Sequence, residues 1–590
     1  SLEPRVNRRW ELGAIFYLLA LGWLIWALWK GEWSLATPKE ETDGAPQSET
    51  GSFRLAPLVG CGVFSMLAFL AFKGNLFTTT NLILWGAAIL SFFLAFWINP
   101  PRLADWLAKL AAFVRRSSWS FSIDRRRLGD LLLIMGIFLI AIFFKTYQLN
   151  QVPPEMNSDH AEKLLDVIDV IYRLGKELGS QQAGLIALAF AGIAYWHNVI
   201  SRLGLRFTLY PFFVAPTLYF LLRGLRRSNR NDFILAGAML GIGLHSYTPI
   251  RILPLVVLTA VALYLLHRQA KGRREITIYR FFILILAALV FFLPLLRYAV
   301  DNPAMFALRA FTRLSDWERP LPGPAWIIFL KNLWNAMVMF AWNDGTVWLS
   351  SIPYRPALDM ITGAFFYLGI ALLIIRYTLR RHWQDLFLVL SVPLLMLPSI
   401  LSLAFPEENP NLSRTAGALV PVFVIVGISI DAFLSSILKK LPPPAGQRLA
   451  WGVVIGLFIL SGLQNYNLVF RQYRLIYETS SWNTSEIGRV VRAFTETMGS
   501  PDNVWHVAYP HWADSRLIGV NAGYPTKDYG ILPENLSQTL NQTGAKLFLI
   551  YPNDENAVSL LQQMYPTGWL RTYNSARPGK DFLVFLVPPE

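Results

Sequence analysis

LLLIMGIFLIAIFFKTYQLNQVPPEMNSDHAEKLL, residues 131–165, sets an apolar run against a crowd of ionisable side chains. Residues 131–144 carry no charge and suit the hydrocarbon of a bilayer, whereas Pro153 and Pro154 interrupt any helix before Asp159, His160 and Glu162 arrive together. Ionisable groups at a membrane edge cost several kcal/mol unless they are paired or wet, so their crowding needs a chemical reason. We read Asp159 as the working carboxylate, with His160 and Glu162 as candidate partners.

The composition excludes a water-soluble protein. Of 590 residues, 54% are hydrophobic and 15% charged, with 21 Trp and 40 Phe, more apolar surface than one soluble core buries. Apolar runs of about 17 to 25 residues recur between short charged loops, which is the pattern of membrane helices and not of a barrel. The expected fold is an α-helical polytopic membrane protein of roughly 11 to 14 spans. The formal charge of +15 does not call for nucleic acid, because Lys and Arg accumulate in cytoplasmic loops. Cys61 is the single cysteine and lies in an apolar run, so no internal disulfide is possible.

Outward from the opening stretch, residues 12–29, 55–72 and 81–98 are candidate spans, making residues 1–100 an extra set of N-terminal membrane helices. Residues 101–130 mix aromatic and aliphatic side chains with many arginines and read as a basic linker on the cytoplasmic surface. The run from Leu131 then leads outward and delivers Asp159 to the extracytoplasmic face of a multi-pass protein of the cell membrane. Downstream, basic loops at 223–230, 267–280, 376–382 and 439–448 alternate with less basic turns near Ser201, Arg251, 301–354 and 406–412, placing the second set beside Asp159.

Two places resist this topology. Three early spans would put Arg5, Arg8 and Arg9 outside, against the charge rule. Residues 161–173 carry Glu162, Lys163, Asp166 and Asp169, too many charges for a span, so an interfacial helix is expected there. On that reading a loop and one membrane helix are missing from the sequence near residues 167–172.

The long segment 299–358 contains Pro320, Pro322 and Pro324, then WIIFLKNLWNAMVMFAWNDG, residues 326–345. Lys331, Asn332 and Asn335 interrupt its apolar part, which predicts an interfacial helix with Trp326, Trp334 and Trp342 at headgroup depth. From residue 475 the composition turns globular. Helices at 486–498 and 555–564 and strands at 504–509, 546–551 and 581–587 predict a small extracytoplasmic α/β domain. It holds no Gly-rich phosphate loop or nucleophile elbow, and His511, Trp512 and Asp514 form its polar-aromatic cluster, suited to acceptor recognition or to capping a cavity.

Four stretches carry a family resemblance: PPEMNSDHAEKL (153–164), LGKELGSQQAGLIALAFAGIAYWHNVISRLGLR (174–206), AGAMLGIGLHSYTPIRILPL (236–255) and PEENPNLSRTAGALVPV (406–422). In this order the chain resembles the bacterial branch of the C-type (GT-C) membrane glycosyltransferases, relatives of protein O-mannosyltransferases and of the lipid A aminoarabinose transferase. The resemblance spans residues 131–474. It implies a GT-C transmembrane catalytic module, a polyprenyl-phosphate sugar donor within the membrane lipid, and an acidic base in the first extracytoplasmic loop, residues 145–165, where Asp159 stands. The family often has an Asp-Glu pair; here Asp159 is followed by His160.

Sugar transfer from a lipid phosphate needs a base for the acceptor proton, a route for inversion at the anomeric carbon and cations for the departing phosphate. The guanidinium fork suits phosphate oxygens. Candidates on the right face are Arg202, Arg206, Arg251, Arg297 and Arg414, with His197, Tyr247, Asn343 and Asp344 as possible sugar or acceptor contacts. Each arginine also has a plain reading as an interfacial anchor. No metal-ligand spacing occurs in these segments, so a metal-independent enzyme without cofactor is expected, although Asp159 with Glu162 could hold a weak divalent ion. The acceptor class stays open among protein, lipid and glycan. Two other classes compete: a lipid or sugar transporter lined by groups such as His245 and Asp431, and an inactive scaffold subunit.

Overall fold

Long apolar runs become helices because nothing in a bilayer satisfies a backbone N–H or C=O except the helix itself. The computed structural model describes residues 53–98, 125–148, 164–203, 205–442, 444–510 and 512–589, with isolated positions between 19 and 30. Within these, seven helices are long and apolar enough to cross a membrane, or eight if one bent pair counts as a single span. The first candidate span and most of the basic linker, residues 99–124, lie outside the described residues. Two compact units emerge, one holding the helices up to Val469 and the other built mainly from Phe470 onward, with Gln148 assigned to it as well.

In chain order the first unit holds α1 (Leu55–Ala71), α2 (Thr79–Phe96), α3 (Arg125–Thr146), α4 (Leu164–Leu178), α5 (Gln181–Ile193), α6 (Tyr195–Arg202), α7 (Leu209–Arg227) and α8 (Arg230–Gly243). There follow α9 (Leu253–Leu266), α10 (Arg274–Asp301), α11 (Pro303–Leu314), α12 (Ala325–Val338), α13 (Met360–Arg380), α14 (Trp383–Ile400), α15 (Leu419–Lys440) and α16 (Ala445–Asn467). Helix α15 is the hub. Its sequence is apolar on every side, and each residue from Leu419 to Ala432 is buried. At Gly427 a Cβ would stand 2.4 Å from the Ala183 carbonyl oxygen of α5, so the two backbones touch. Gly237 and Gly241 do the same for α8 against α10, at 2.3 Å from Leu284 O and 2.5 Å from Ala288 O. Small residues four apart are how helices approach closely where no hydrophobic effect drives them together.

Two hairpins at one end of the unit share one lock. Arg223 forks onto Asp232 across the α7–α8 turn, with Nε to Oδ2 at 3.0 Å, and Arg376 forks onto Asp385 across α13–α14 at 2.8 Å. In each, the first helix ends on a residue in the left-handed region, Ser228 (φ 52°) or Arg381 (φ 54°). The basic loops therefore gather at this end, held by buried carboxylates.

A helix forms from Leu164, where the sequence led to the expectation of an interfacial helix. Residues 167–172 lie inside α4, which packs along α5, α7 and α15 and ends with Glu177 paired to Arg226 at 2.7 Å. The spacing of its charges leaves Ile171, Leu174 and Leu178 on one stripe, and all three are buried; α4 is not among the helices long and apolar enough to cross a membrane. Helix α12 forms where an interfacial helix was expected. Trp326 and Trp334 are exposed, while Asn332 is buried and donates to Ile400 O at 2.9 Å.

The second unit contains α17 (Arg474–Ser480), α18 (Thr484–Thr497), β1 (Val504–Val507), α19 (Ser515–Ala522), β2 (Gly530–Ile531), β3 (Lys546–Ile550), α20 (Glu555–Met564), β4 (Trp569–Tyr573) and β5 (Phe582–Val587). The sheet order is β2-β1-β3-β5-β4, with β1 parallel to β2 and β3, and β5 antiparallel to β3 and β4. Every residue of β3 is buried: Leu547 and Leu549 face the core with Ile487 and Val491 of α18, and Phe548 and Ile550 face Leu561 of α20. Strands buried on both faces read as unbroken apolar runs, which is how β3 was predicted. Strand β4 escaped prediction because it is an edge strand whose residues are mostly exposed.

Glu486 ties the start of α18 to the turn before β5. Its carboxylate accepts from Asn483 Nδ2 at 2.8 Å, from Ala576 N at 3.1 Å and from Ser575 Oγ. Burial pushes this carboxyl up, but the bonds from Ser575, Asn483 and Ala576 and the charge of Arg489 outweigh it, leaving it below its ordinary value. A depressed carboxylate stabilises the fold above the unfolded value near ~4.3 and that stability disappears as pH falls through the folded value. Glu486→Gln is expected to cost about 1–3 kcal/mol at neutral pH and to flatten the acid limb of the unfolding transition, followed by circular dichroism between about pH 3 and pH 7.

Candidate functional site

The end of the first unit opposite the hairpin locks is built from loops. There α5 breaks into α6 with a bend of 51° at Ala194, whose extended backbone (ψ 134°) interrupts the helix. The break leaves Tyr195 N without a helical acceptor, and Asn465 Oδ1 of α16 takes it at 2.6 Å. Asn465 Nδ2 in turn donates to Asp359 Oδ2 at 3.0 Å, and Asp359 caps α13 by accepting from Ile361 N and Thr362 N. Trp196 Nε1 donates to Leu412 O at 3.0 Å, joining the bend to the loop before α15.

That loop, 401–418, is folded by its own side chains. Asn411 Oδ1 accepts from Ser413 N at 3.0 Å, Ser413 Oγ at 2.6 Å and Arg414 N at 3.2 Å, a tight Asx turn. The loop 339–359 lies directly on it. Thr346 Oγ1 donates to Glu407 O at 2.9 Å, and a Cβ at Gly345, whose φ is +100°, would meet Pro410 O at 2.1 Å. Only glycine permits both that backbone and that approach.

Around Tyr247, which precedes α9, three guanidiniums converge. Arg414 donates to Ser402 Oγ at 2.9 Å and pairs with Glu408; Arg313 of α11 pairs with the same Glu408 oxygen at 3.0 Å; and Arg206 lies 5.8 Å from the Tyr247 ring. Burial pushes the Tyr247 phenol up, while Arg414, a hydrogen bond with Ser413, Arg206 and Arg313 oppose that rise. Arg319 pairs with Glu407 at 2.8 Å, and both Arg313 and Arg319 lie over the Phe405 ring, at 4.1 and 4.4 Å. Glu408 shows what the cluster accepts: a carboxylate oxygen held by two guanidiniums.

A second cluster lies across loop 339–359. Asp344 is 1% exposed and its N donates to Arg355 O at 2.6 Å; its Oδ2 is 3.4 Å from the Tyr195 hydroxyl. Arg355 lies 5.0 Å above the Tyr195 ring, and among the described residues neither its Nη1 nor Asp344 Oδ1 has a hydrogen-bond partner. Burial drives the Asp344 carboxyl well above the usual carboxylate range against the pull of Arg355 and Tyr195. A buried acid in this state donates a proton or a hydrogen bond more readily than it accepts one.

Of the residues singled out by sequence, Arg206, Tyr247 and Arg414 are brought together, and Asp344 belongs to the Tyr195–Arg355 cluster. Asn343 accepts from Gly345 N at 2.9 Å and shapes the turn. Arg251 lies on the Phe306 ring at 3.8 Å and donates to Phe306 O at 2.7 Å, tying the start of α9 to α11. Arg202 donates to Phe144 O at 2.8 Å, Lys145 O at 3.1 Å and Tyr147 O at 2.5 Å, capping α3 where it leads toward residue 159. Arg297 pairs with Asp301 at 2.7 Å and packs on Phe69 of α1 at 4.9 Å. His197 is buried with Nδ1 3.1 Å from Ala191 O. Asp159, His160, Glu162 and His511 lie outside the described residues. Sequence reasoning missed Arg313, Arg319, Arg355 and Tyr195. The segment holding the three arginines was flagged, but its charges were passed over for its tryptophans.

Residues 165–298 match the model of the dolichyl-phosphate-mannose-protein mannosyltransferase family. No curated protein matches the chain. Among solved structures, ArnT from Cupriavidus metallidurans bound to undecaprenyl phosphate is 11% identical, covering 97% of this chain and 98% of its own, with a TM-score of 0.42. The same protein in the apo state gives 11%, 98%, 98% and 0.43. The oligosaccharyltransferase of Archaeoglobus fulgidus, tethered to an acceptor peptide, is 11% identical over 76% of this chain and 73% of its own, with a TM-score of 0.41. The part of the chain that matches the mannosyltransferase family model is thus the segment 165–298, which runs from α4 to the end of α10 and so includes the bent α5–α6 pair, Arg206 and Tyr247.

Proposed function

We propose that this protein transfers a sugar from a polyprenyl-phosphate donor to an acceptor, with inversion at the anomeric carbon, at the end of the bundle where the loops meet. The convergence of Arg206, Arg313 and Arg414 on Tyr247 carries the reading, because a leaving lipid phosphate gains charge as the sugar departs and needs fixed cations there. Arg414 and Arg313 offer forks already able to hold an oxyanion, and Ser402 and Ser413 orient Arg414 and Tyr247. Asp159 takes the acceptor proton. Asp344, whose carboxyl burial pushes up, offers a hydrogen bond to a sugar hydroxyl instead. The charge distribution supports an extracytoplasmic site, since the Arg-rich hairpin turns gather at the opposite end.

The test uses the full chain in lipid nanodiscs with undecaprenyl phosphate as probe. Arg313→Ala is expected to weaken binding of that lipid about tenfold, or ~1.4 kcal/mol, by microscale thermophoresis. Arg297→Ala, whose guanidinium serves Asp301, should bind as the parent does. Equal losses from both variants, or none from Arg313→Ala, refute the assignment. Sugar transfer is read separately with polyprenyl-phosphate mannose and polyprenyl-phosphate glucose as donors.

A further inference from the structure

The second unit has a feature that the transfer reaction does not use. Its parallel strands β1 and β3 lie side by side, and the chain leaves β1 toward α19 and β2 on one side but returns to β3 on the other. This is a topological switch point, and in open α/β sheets ligands bind outside the carboxyl ends of the strands there. The residues that follow those two ends are aromatic. Tyr509, two residues past β1, stacks on Tyr551, the residue after β3, with ring centroids 4.2 Å apart and 15° between planes. Trp482 stands edge-on to Tyr551 at 5.7 Å and to Trp512 at 6.5 Å, with Lys580 Nζ 4.4 Å from the Trp482 ring.

Ordinary core packing accounts for part of this group, since Trp512 belongs to the apolar core of the domain. It does not account for two nitrogens. Trp512 and His506 stack at 4.2 Å, both are more than nine-tenths buried, and among the described residues neither Trp512 Nε1 nor His506 Nε2 has a hydrogen-bond partner. A buried donor or acceptor left unmade is costly, and two of them beside a switch point are what a polar ligand would satisfy. Tyr509 meanwhile is 36% exposed, the outer member of the Tyr509–Tyr551 stack. A ring partly in solvent, buried polar nitrogens on a Trp512 ring 5.8 Å from its stacking partner Tyr551 and on the His506 that stacks on Trp512, and carboxylates nearby, with Asp514 and Asp528 acting on His506, fit a pyranose: C–H groups pack on the ring and hydroxyls bond the polar atoms.

We propose that the carboxyl edge of β1 and β3 is a carbohydrate-binding site, with Tyr509 as the stacking platform and Trp512 and His506 as hydrogen-bonding partners, distinct from the donor site around Tyr247. Saturation-transfer NMR on the full chain in nanodiscs tests it, with methyl α-D-mannopyranoside, methyl β-D-glucopyranoside and methyl β-D-N-acetylglucosaminide as probes. At least one glycoside is expected to receive saturation at its ring protons. Tyr509→Ala should reduce that signal about fivefold or more without changing the melting transition, and Trp512→Phe, which keeps an aromatic ring and removes the N–H, should weaken it severalfold. Arg414→Ala should leave it unchanged. No saturation of any of the three glycosides, a signal indifferent to Tyr509→Ala, or one lost with Arg414→Ala would each overturn the proposal; the last would assign the sugar to the donor site.

Discussion

Arg414→Ala is expected to lower sugar transfer about 100- to 1000-fold, the usual consequence of removing one fixed donor from a developing charge in a water-poor site. The size follows from geometry. Arg414 bonds Ser402 and shares Glu408 with Arg313, so its guanidinium is held before any substrate arrives and costs little reorganisation during reaction. Because the phosphate becomes more negative as the glycosidic bond breaks, the loss should fall on kcat more than on binding of undecaprenyl phosphate. Arg414→Lys keeps the charge and loses the fork, and should recover only part of the rate. A kcat within about threefold of the parent in Arg414→Ala would remove this arginine from the reaction.

How much of this site could be read beforehand depends on how local its cause is. Helix α15 was legible because an all-round apolar run can only be buried, and β3 because a continuous apolar strand needs two covered faces. Arg206, Tyr247 and Arg414 were singled out on separate loops by charge and position, and the structure brings these three side chains together. Arg355 was not legible, since its position over Tyr195 depends on Gly345 resting against Pro410, a contact between loops some sixty residues apart with no local signal. Arg313 was hidden for another reason: an arginine on an amphipathic helix looks like a headgroup anchor until its contacts with Glu408 and Phe405 are seen. Helix α4 forms where a charge-rich helix was expected; its partners could not be read, because the stripe of Ile171, Leu174 and Leu178 does not say which helices cover it.

Asp159→Asn is expected to reduce transfer about 10³-fold while leaving undecaprenyl phosphate binding intact, because the amide keeps the shape of the side chain and loses only its ability to take a proton. Asp344 is the rival, and pH separates the two. A base works when deprotonated, so the rate rises with pH through the pKa of whichever carboxylate acts. A carboxylate base of ordinary value would put the acid limb of kcat near about pH 4. If Asp344 is the base, burial has raised its carboxyl, and the limb should move to distinctly higher pH. Asp344→Asn then tells which role the buried acid plays. As a hydrogen-bond donor to a sugar hydroxyl it is partly replaced by the amide N–H, so a loss of only about tenfold with an unmoved pH profile is expected. A near-complete loss in Asp344→Asn beside an active Asp159→Asn would exchange the two roles and shift the reacting centre from the first loop to the Tyr195–Arg355 cluster.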